Sequence, residues 1–408
     1  MSATATTPYR PGPARPIGRH RPRRADRISL AAVLLALATF TAPWVVVRAK
    51  GFLLADYFVV ASVAVALVVS LRGRRARLRP SAQLPLFAVA LITFGAIVGP
   101  VLRRTFELGT AVTQALPFVA SAAVSIVAVQ LVITNRRELR LCAASYVLGV
   151  TASALFGMAI GANSMGRIGG LGGHPNHVGL TCMLAGLLAL FGRTILPRTV
   201  RYACVAVMLV ALVQTGSRAA LLGLGAGALA GLVVSPLHLG RKARLLAVVG
   251  VLAVGFLAMF PQTLQASAFS RLGGDQSAEA SDAAREVRLE AALDSIQANP
   301  LLGRGLGDAR TAHSVPLQLW AGAGAFGVVA IVVLLRFVQI AARRLHRGRS
   351  PVGVGLCAGV IGFGVSSIVA NQFWDRYIWL YVGMLTVAVS LGSDRDGEGV
   401  VAATGPDA

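Results

Sequence analysis

Apolar runs about as long as a bilayer is thick recur along nearly the whole chain, separated by short basic or glycine-rich connectors. A helix needs roughly 20 such residues to cross the hydrocarbon core. Within lipid every backbone N–H and C=O must be satisfied internally, which leaves helices or a closed barrel. Runs of this length suit helices. They lie near 28–47, 52–71, 84–102, 110–133, 139–161, 176–192, 202–215, 218–235, 244–260, 314–340, 352–370 and 377–392. The pattern predicts an all-α, polytopic membrane protein with about twelve transmembrane helices. Only 13% of the 408 residues are charged and the mean hydropathy is +0.70, whereas a soluble domain carries roughly 25% charge.

A net charge of +23 would point to nucleic acid in a soluble protein. Here the placement of the charge carries the information, and no nucleic-acid partner is expected. Arginines cluster in the tail, at 72–79, 136–140, 193–201, 241–244 and 343–349, while the intervening connectors are nearly neutral. This alternation follows the positive-inside rule. It places both termini in the cytoplasm, in the inner membrane of a bacterium. Residues 1–27, Pro/Arg-rich and without apolar periodicity, are expected as a disordered basic tail. The transmembrane domain spans 28–392, and 393–408 form a second cytoplasmic tail. One large external loop, 261–313, separates the ninth and tenth spans. Cys142, Cys182, Cys204 and Cys357 all fall in apolar runs and are expected to pack rather than to ligate.

Topology does not call for the remaining basic residues on the outer side. Arg48, Lys50, Arg103 and Arg104 can snorkel to lipid phosphate. Three other segments are more specific. In Gly161–Gly179 glycines allow close backbone approach, and Pro175 and Asn176 open a helix after His174. A helix N-terminus facing Arg167 could receive phosphate oxygens; a solvated loop carrying His174 and His177 is the plainer alternative. At 214–220, Ser217 caps the next helix while Arg218 in its first turn opposes the helix dipole, which suggests an anionic partner. In the long loop a helix is expected from Ser281 to Ala298, ended by Asn299-Pro300. Leu289, Leu293 and Ile296 form its apolar stripe. Arg285, Arg288 and Ala292 share an adjoining face, so the two guanidinium groups could fork a diphosphate, or pair with Glu286, Glu290 and Asp294. Gly303, Gly305 and Gly307 bend the chain back to the membrane. His313 stands where the tenth span begins, where a histidine could act as a general base.

Arg167 with HPN at 174–176, Arg218 in GSRAALLG, Arg288 ahead of NPLLGRGLGD, and His313 before a span together resemble the O-antigen ligase and Wzy-type polymerase family. The resemblance covers about 160–340. It implies a glycosyltransferase of surface polysaccharide biosynthesis that needs no metal or other cofactor. Such an enzyme moves a saccharide from an undecaprenyl-diphosphate-linked donor to a glycan or other surface acceptor. Arginines matching Arg218 and Arg288 would hold the diphosphate, with Arg167, Arg285, His174 and Asn176 around it. A histidine matching His313 would activate the acceptor hydroxyl. The family has Asn after that histidine, where this chain has Ser314. A twelve-span transporter or flippase is the alternative. Transporters place ionisable groups near the midplane, whereas Asp56, Glu107 and Arg336 are expected near span ends.

Overall fold

The computed structural model describes residues 28–49, 51–71, 78–103, 108–162, 167–235, 240, 276–309, 312–348 and 350–401. The basic tail 1–27, the expected span at 244–260, residues 261–275 of the long loop, and Lys50, Arg104 and Glu107 lie outside the described residues.

Among the described residues the regular structure is helical apart from one pair of two-residue strands, Arg48–Ala49 against Phe52–Leu53. In chain order the helices are α1 (Leu30–Thr41), α2 (Leu54–Leu71), α3 (Gln83–Leu102), α4 (Leu108–Val132), α5 (Arg136–Ile160), α6 (Pro175–Phe191), α7 (Arg198–Gln214) and α8 (Arg218–Val234). There follow α9 (Gln276–Ala298), α10 (Leu306–Ala309), α11 (Val315–Ala323), α12 (Ala325–Gly348), α13 (Pro351–Ser366) and α14 (Arg376–Val401). Among the described residues five helices are long and apolar enough to cross a membrane: α2, α3 with its preceding turn, α4, α5 and α12. Helices α1, α6, α8, α13 and the apolar part of α14 are shorter. The 17 residues of α6 rise about 26 Å at 1.5 Å per residue, a little under a ~30 Å core.

Helices α6, α13 and the first half of α14 are buried nearly all round and form the centre of the bundle. Small residues permit this. On α8, Gly223, Gly227 and Gly231 recur at every fourth position and bring its backbone against Gly362 and Ala358 of α13 and the Phe191 ring of α6. Between membrane helices such close approach supplies the packing that hydrophobicity cannot, because lipid is equally apolar. The four cysteines are free and buried. At the opposite edge Glu138, 1% exposed, accepts from Ser29 N and Oγ at 3.1 and 2.8 Å and from Thr134 N and Oγ1 at 2.8 and 2.9 Å, tying α1 to α5.

Four expectations need correction. The first span, 28–47, is helical only over Leu30–Thr41, after which the chain turns into the short strand pair. The expected span 314–340 is not one helix but two, α11 and α12, broken at Gly324. That residue has φ +61°, and its Cα faces the Leu301 carbonyl so closely that no Cβ fits. The segment 301–305 enters beside the break and caps α11. Arg304 N donates to Ala321 O at 2.8 Å, Gly305 N to Gly322 O at 2.9 Å, and Ala325 N to Leu301 O at 3.0 Å. The backbone N–H groups of Arg304 and Gly305 thus satisfy two of the carbonyls that a half-length helix leaves open. Because α12 begins at 325, Arg336 is mid-helix, where it donates to Gln339 Oε1 at 2.5 Å, rather than near a span end. Finally, α14 stays helical to Val401, through residues expected in the tail.

Candidate functional site

Antiparallel alternation brings the end of α5, the starts of α6 and α8, the start of α11 and the α13–α14 connection to one end of the bundle. Arg167, His174 and Asn176 meet there, Arg288 and Arg285 reach His313, and Arg218 stands at the start of α8.

The HPN turn opens α6. The backbone folds tightly at Gly170 and Gly173, φ +49° and +72°, and Leu171 N donates to Ser153 Oγ at 3.2 Å. His174 is the N-cap: its Nδ1 accepts from Asn176 N at 3.1 Å, with Pro175 at the first helical position. That bond makes Nδ1 an acceptor and Nε2 the N–H, so the ring is neutral with a fixed outward donor. Burial, then His177, Arg167 and His313, lower the His174 pKa to about 4. His313 is among the charges that act on His174, so these segments, nearly 140 residues apart in sequence, lie within electrostatic reach of each other.

Arg167 is buried, 8% exposed. Its Nε donates to Thr215 O at 2.5 Å and its Nη2 to Asn176 Oδ1 at 2.9 Å. It is a brace between the HPN turn and the α7–α8 turn. Ile168 N adds a bond to Gln214 O at 3.3 Å, and Gly179 lets α6 approach Thr215, Ser217 and Ala220. The brace fixes the start of α8. Ser217 caps it, accepting from Ala220 N at 3.4 Å, and half-buried Arg218 is its first residue.

Helix α9 begins five residues before the expected Ser281 cap and ends as expected at Ala298. Its docking face also differs from the expected stripe. Ala292 and Ile296 are buried, the latter against Leu317 and Ala321 of α11, while Leu289 and Leu293 are more than 40% exposed. Positions 285, 288, 292 and 296 fall on one face of a helix. Docking through the lower pair therefore carries Arg285 and Arg288 to His313. The Arg288 guanidinium touches His313 Nε2. Burial, then Arg288, then Arg285 push the His313 pKa below its ordinary value. A guanidinium can only donate, so Nε2 is the unprotonated nitrogen. The arrangement holds a neutral imidazole with its lone pair facing a cation.

Sequence reasoning missed what holds His313 in place. Gln318, fully buried on α11, grips the Ala312 carbonyl through Nε2 and accepts from Trp374 Nε1 at 3.2 Å through Oε1. Val315 N donates to Ser367 O at 2.8 Å. Trp374 is itself wedged on Phe118, ring centroids 5.4 Å apart. Also missed was Asp375, whose Oδ2 lies 3.2 Å from His177 Nδ1. Burial raises the Asp375 pKa, opposed by His177, Tyr377 and Arg48. Next to it Arg376 pairs with Asp56, linking α14 to α2. The polar run NQFWDR at 371–376, set between two apolar stretches, was the available signal.

Residues 203–332 match the family model described as O-antigen ligase, which supports membership of that family. The matched stretch contains Arg218, Arg285, Arg288 and His313, and ends inside α12; Arg167, His174 and Asn176 precede it. No curated protein matches the chain.

Proposed function

From its O-antigen ligase segment and the geometry around it, we propose that this membrane protein transfers a saccharide from an undecaprenyl-diphosphate-linked donor to a glycan or other surface acceptor, on the outer face of the cytoplasmic membrane. The observation that carries the reading is the meeting of His313 with Arg288 and Arg285 beside the HPN turn. The diphosphate lies between Arg288, Arg285 and Arg218, with the Nε2–H of His174 as a further donor. Guanidinium forks suit phosphate oxygens. On binding, Arg288 turns from His313 to the phosphate and leaves the Nε2 lone pair open to the acceptor hydroxyl.

The acceptor oxygen attacks the anomeric carbon as its proton passes to His313 Nε2. A carbon–oxygen bond forms to the acceptor, and the bond to the diphosphate breaks with its electron pair going to the leaving group. Arginines stabilise that developing charge, so the step needs no metal. One displacement inverts the anomeric centre. The test is reconstitution in vesicles with a purified undecaprenyl-diphosphate saccharide. The reading predicts release of undecaprenyl diphosphate in step with glycan product; substrate movement across the vesicle membrane without bond cleavage would overturn it.

One observation favours the transporter reading, namely Arg336 halfway along α12. Intramembrane arginines usually mark a substrate or ion path. Its bond to Gln339 gives it a local partner, and the same vesicle assay separates the two readings.

A further inference from the structure

The connection between α13 and α14 holds a second polar cluster, which the diphosphate reading does not use. Asp375 Oδ2 and His177 Nδ1 lie 3.2 Å apart, and the two side chains are 20% and 21% exposed. The facing atoms themselves are enclosed, so that exposure belongs to the rest of each side chain. In a neutral ring whose Nδ1–H meets the carboxylate, Nε2 is left as an acceptor. Gln372 lies three residues before Asp375, in a turn closed by Asp375 N donating to Gln372 O at 3.5 Å. Its Oε1 is buried and has no hydrogen-bond partner among the described residues. Buried polar atoms are nearly always paired, so this one also calls for a donor.

We propose that this connection binds the acceptor saccharide through its hydroxyl groups, with Asp375 and His177 as the recognising pair. The inference rests on the transfer reaction above and adds where its second substrate lies. Hydrogen-bond polarity separates the two substrates. A diphosphate accepts hydrogen bonds, as Arg218, Arg285 and Arg288 require, and a carboxylate repels it. Asp375 and Gln372 Oε1 accept instead, so they suit a neutral partner that offers several O–H donors, as a saccharide does. A hydrogen bond to a carboxylate is also stronger than one between neutral groups. Position supports the same reading. His177 is one turn along α6 from His174, with ring centroids 6.0 Å apart, and His313 acts electrostatically on His174. From the other direction Trp374, next to Asp375, donates to Gln318 Oε1 at 3.2 Å, and Gln318 holds the carbonyl of Ala312, the neighbour of His313. Two routes therefore link the pair to the proposed base. The connection is also firmly held. Phe373 stacks on Phe118 with centroids 5.8 Å apart, Trp379 Nε1 donates to Phe373 O at 2.9 Å, and Arg376 pairs with Asp56. A site fixed in this way loses little freedom when it binds.

Two measurements test this. The first needs no turnover. Surface glycan purified from the source cells, freed of lipid and carrying a diazirine at its non-reducing end, should label the peptide that contains Asp375. Unlabelled glycan should suppress that label, and inorganic pyrophosphate should not. Suppression by pyrophosphate alone would put the donor there and overturn the proposal. The second measurement is steady-state transfer with donor and acceptor varied separately. Asp375→Asn and His177→Gln should each raise the acceptor KM at least about tenfold. The donor KM and the rate at saturating acceptor should stay near wild type. His177→Gln leaves the connection itself intact, so it carries the test if Asp375→Asn fails to fold. An unchanged acceptor KM in His177→Gln, or a raised donor KM in its place, would overturn the proposal. Selective labelling by the glycan in a protein that transfers nothing would instead count against the reaction proposed above and leave the saccharide site standing.

Discussion

His313 and Arg288 touch through the imidazole Nε2 and a guanidinium nitrogen, although 25 residues of loop and helix separate them. The contact exists because α9 docks by Ala292 and Ile296, which fixes where its preceding turns point. If Arg288 passes from His313 to the donor diphosphate, a planar fork is needed and a point charge will not serve. Arg288→Lys should therefore lower transfer at least about tenfold with normal protein levels. Near-normal transfer would demote Arg288 to a structural partner of the histidine.

In the proposed reaction Gln318 would act through His313, whose neighbour Ala312 it holds, rather than on substrate. Replacing it by Leu keeps the volume but takes a donor from the buried Ala312 carbonyl, and a buried polar group that loses its partner costs about 1–3 kcal/mol. Gln318→Leu should lower the maximal transfer rate about tenfold while the donor KM stays close to wild type. A merely structural role would reduce the amount of folded protein and leave the kinetics of the folded fraction unchanged.

His174 makes the fold sensitive to acid. Its pKa is lowered in the folded protein, so the neutral ring is favoured there, and protonation removes the acceptor that caps α6. The unfolded chain binds this proton first on acidification. Its stabilising contribution is thus complete above about 6.5 and is lost as pH falls toward about 4. Thermal unfolding in detergent should shift to lower temperature across that window. His174→Asn, a good N-cap that does not titrate, should flatten the shift. An unchanged slope in the variant would assign the acid sensitivity to other groups.

Much of this architecture is legible in the sequence, because lipid leaves a chain few ways to satisfy its backbone. The all-helical fold, the burial of the four cysteines and the end of α9 at Asn299-Pro300 follow from local patterns. The break at Gly324 does not. A glycine within AGAGAFG reads as ordinary membrane-helix packing, and only the arrival of Leu301–Gly305 from the loop fixes its left-handed φ. The same tertiary event moved Arg336 from a span end to mid-helix. On α9, Leu289 and Leu293 outranked Ala292 by hydrophobicity, yet close docking on α11 favours the smaller side chain. The bracing role of Arg167 was not legible, since its partners Thr215, in the α7–α8 turn, and Asn176, on α6, are far apart in the sequence. Gln318 was passed over because a lone polar residue in an apolar stretch carries no spacing signal, and Asp375 because the polar run around it reads as an ordinary connector.

The orientation rests on arginine placement alone and can be tested directly. Glu290→Cys on exposed α9 should react with an impermeant thiol reagent in intact cells, whereas Arg347→Cys at the far end of α12 should react only after permeabilisation. The reverse pattern would place the site on the cytoplasmic face.

The central claim is that His313 takes the acceptor proton. His313→Ala should insert and purify normally, because the half-buried ring contributes little to the helix packing around it. It should bind the polyprenyl-diphosphate saccharide as the wild type does, with donor binding measured separately. Transfer should fall at least roughly 100-fold, while His174→Ala and His177→Ala retain much more activity. Wild-type transfer by His313→Ala, together with a dead His174→Ala, would contradict the account and move the base to the HPN turn.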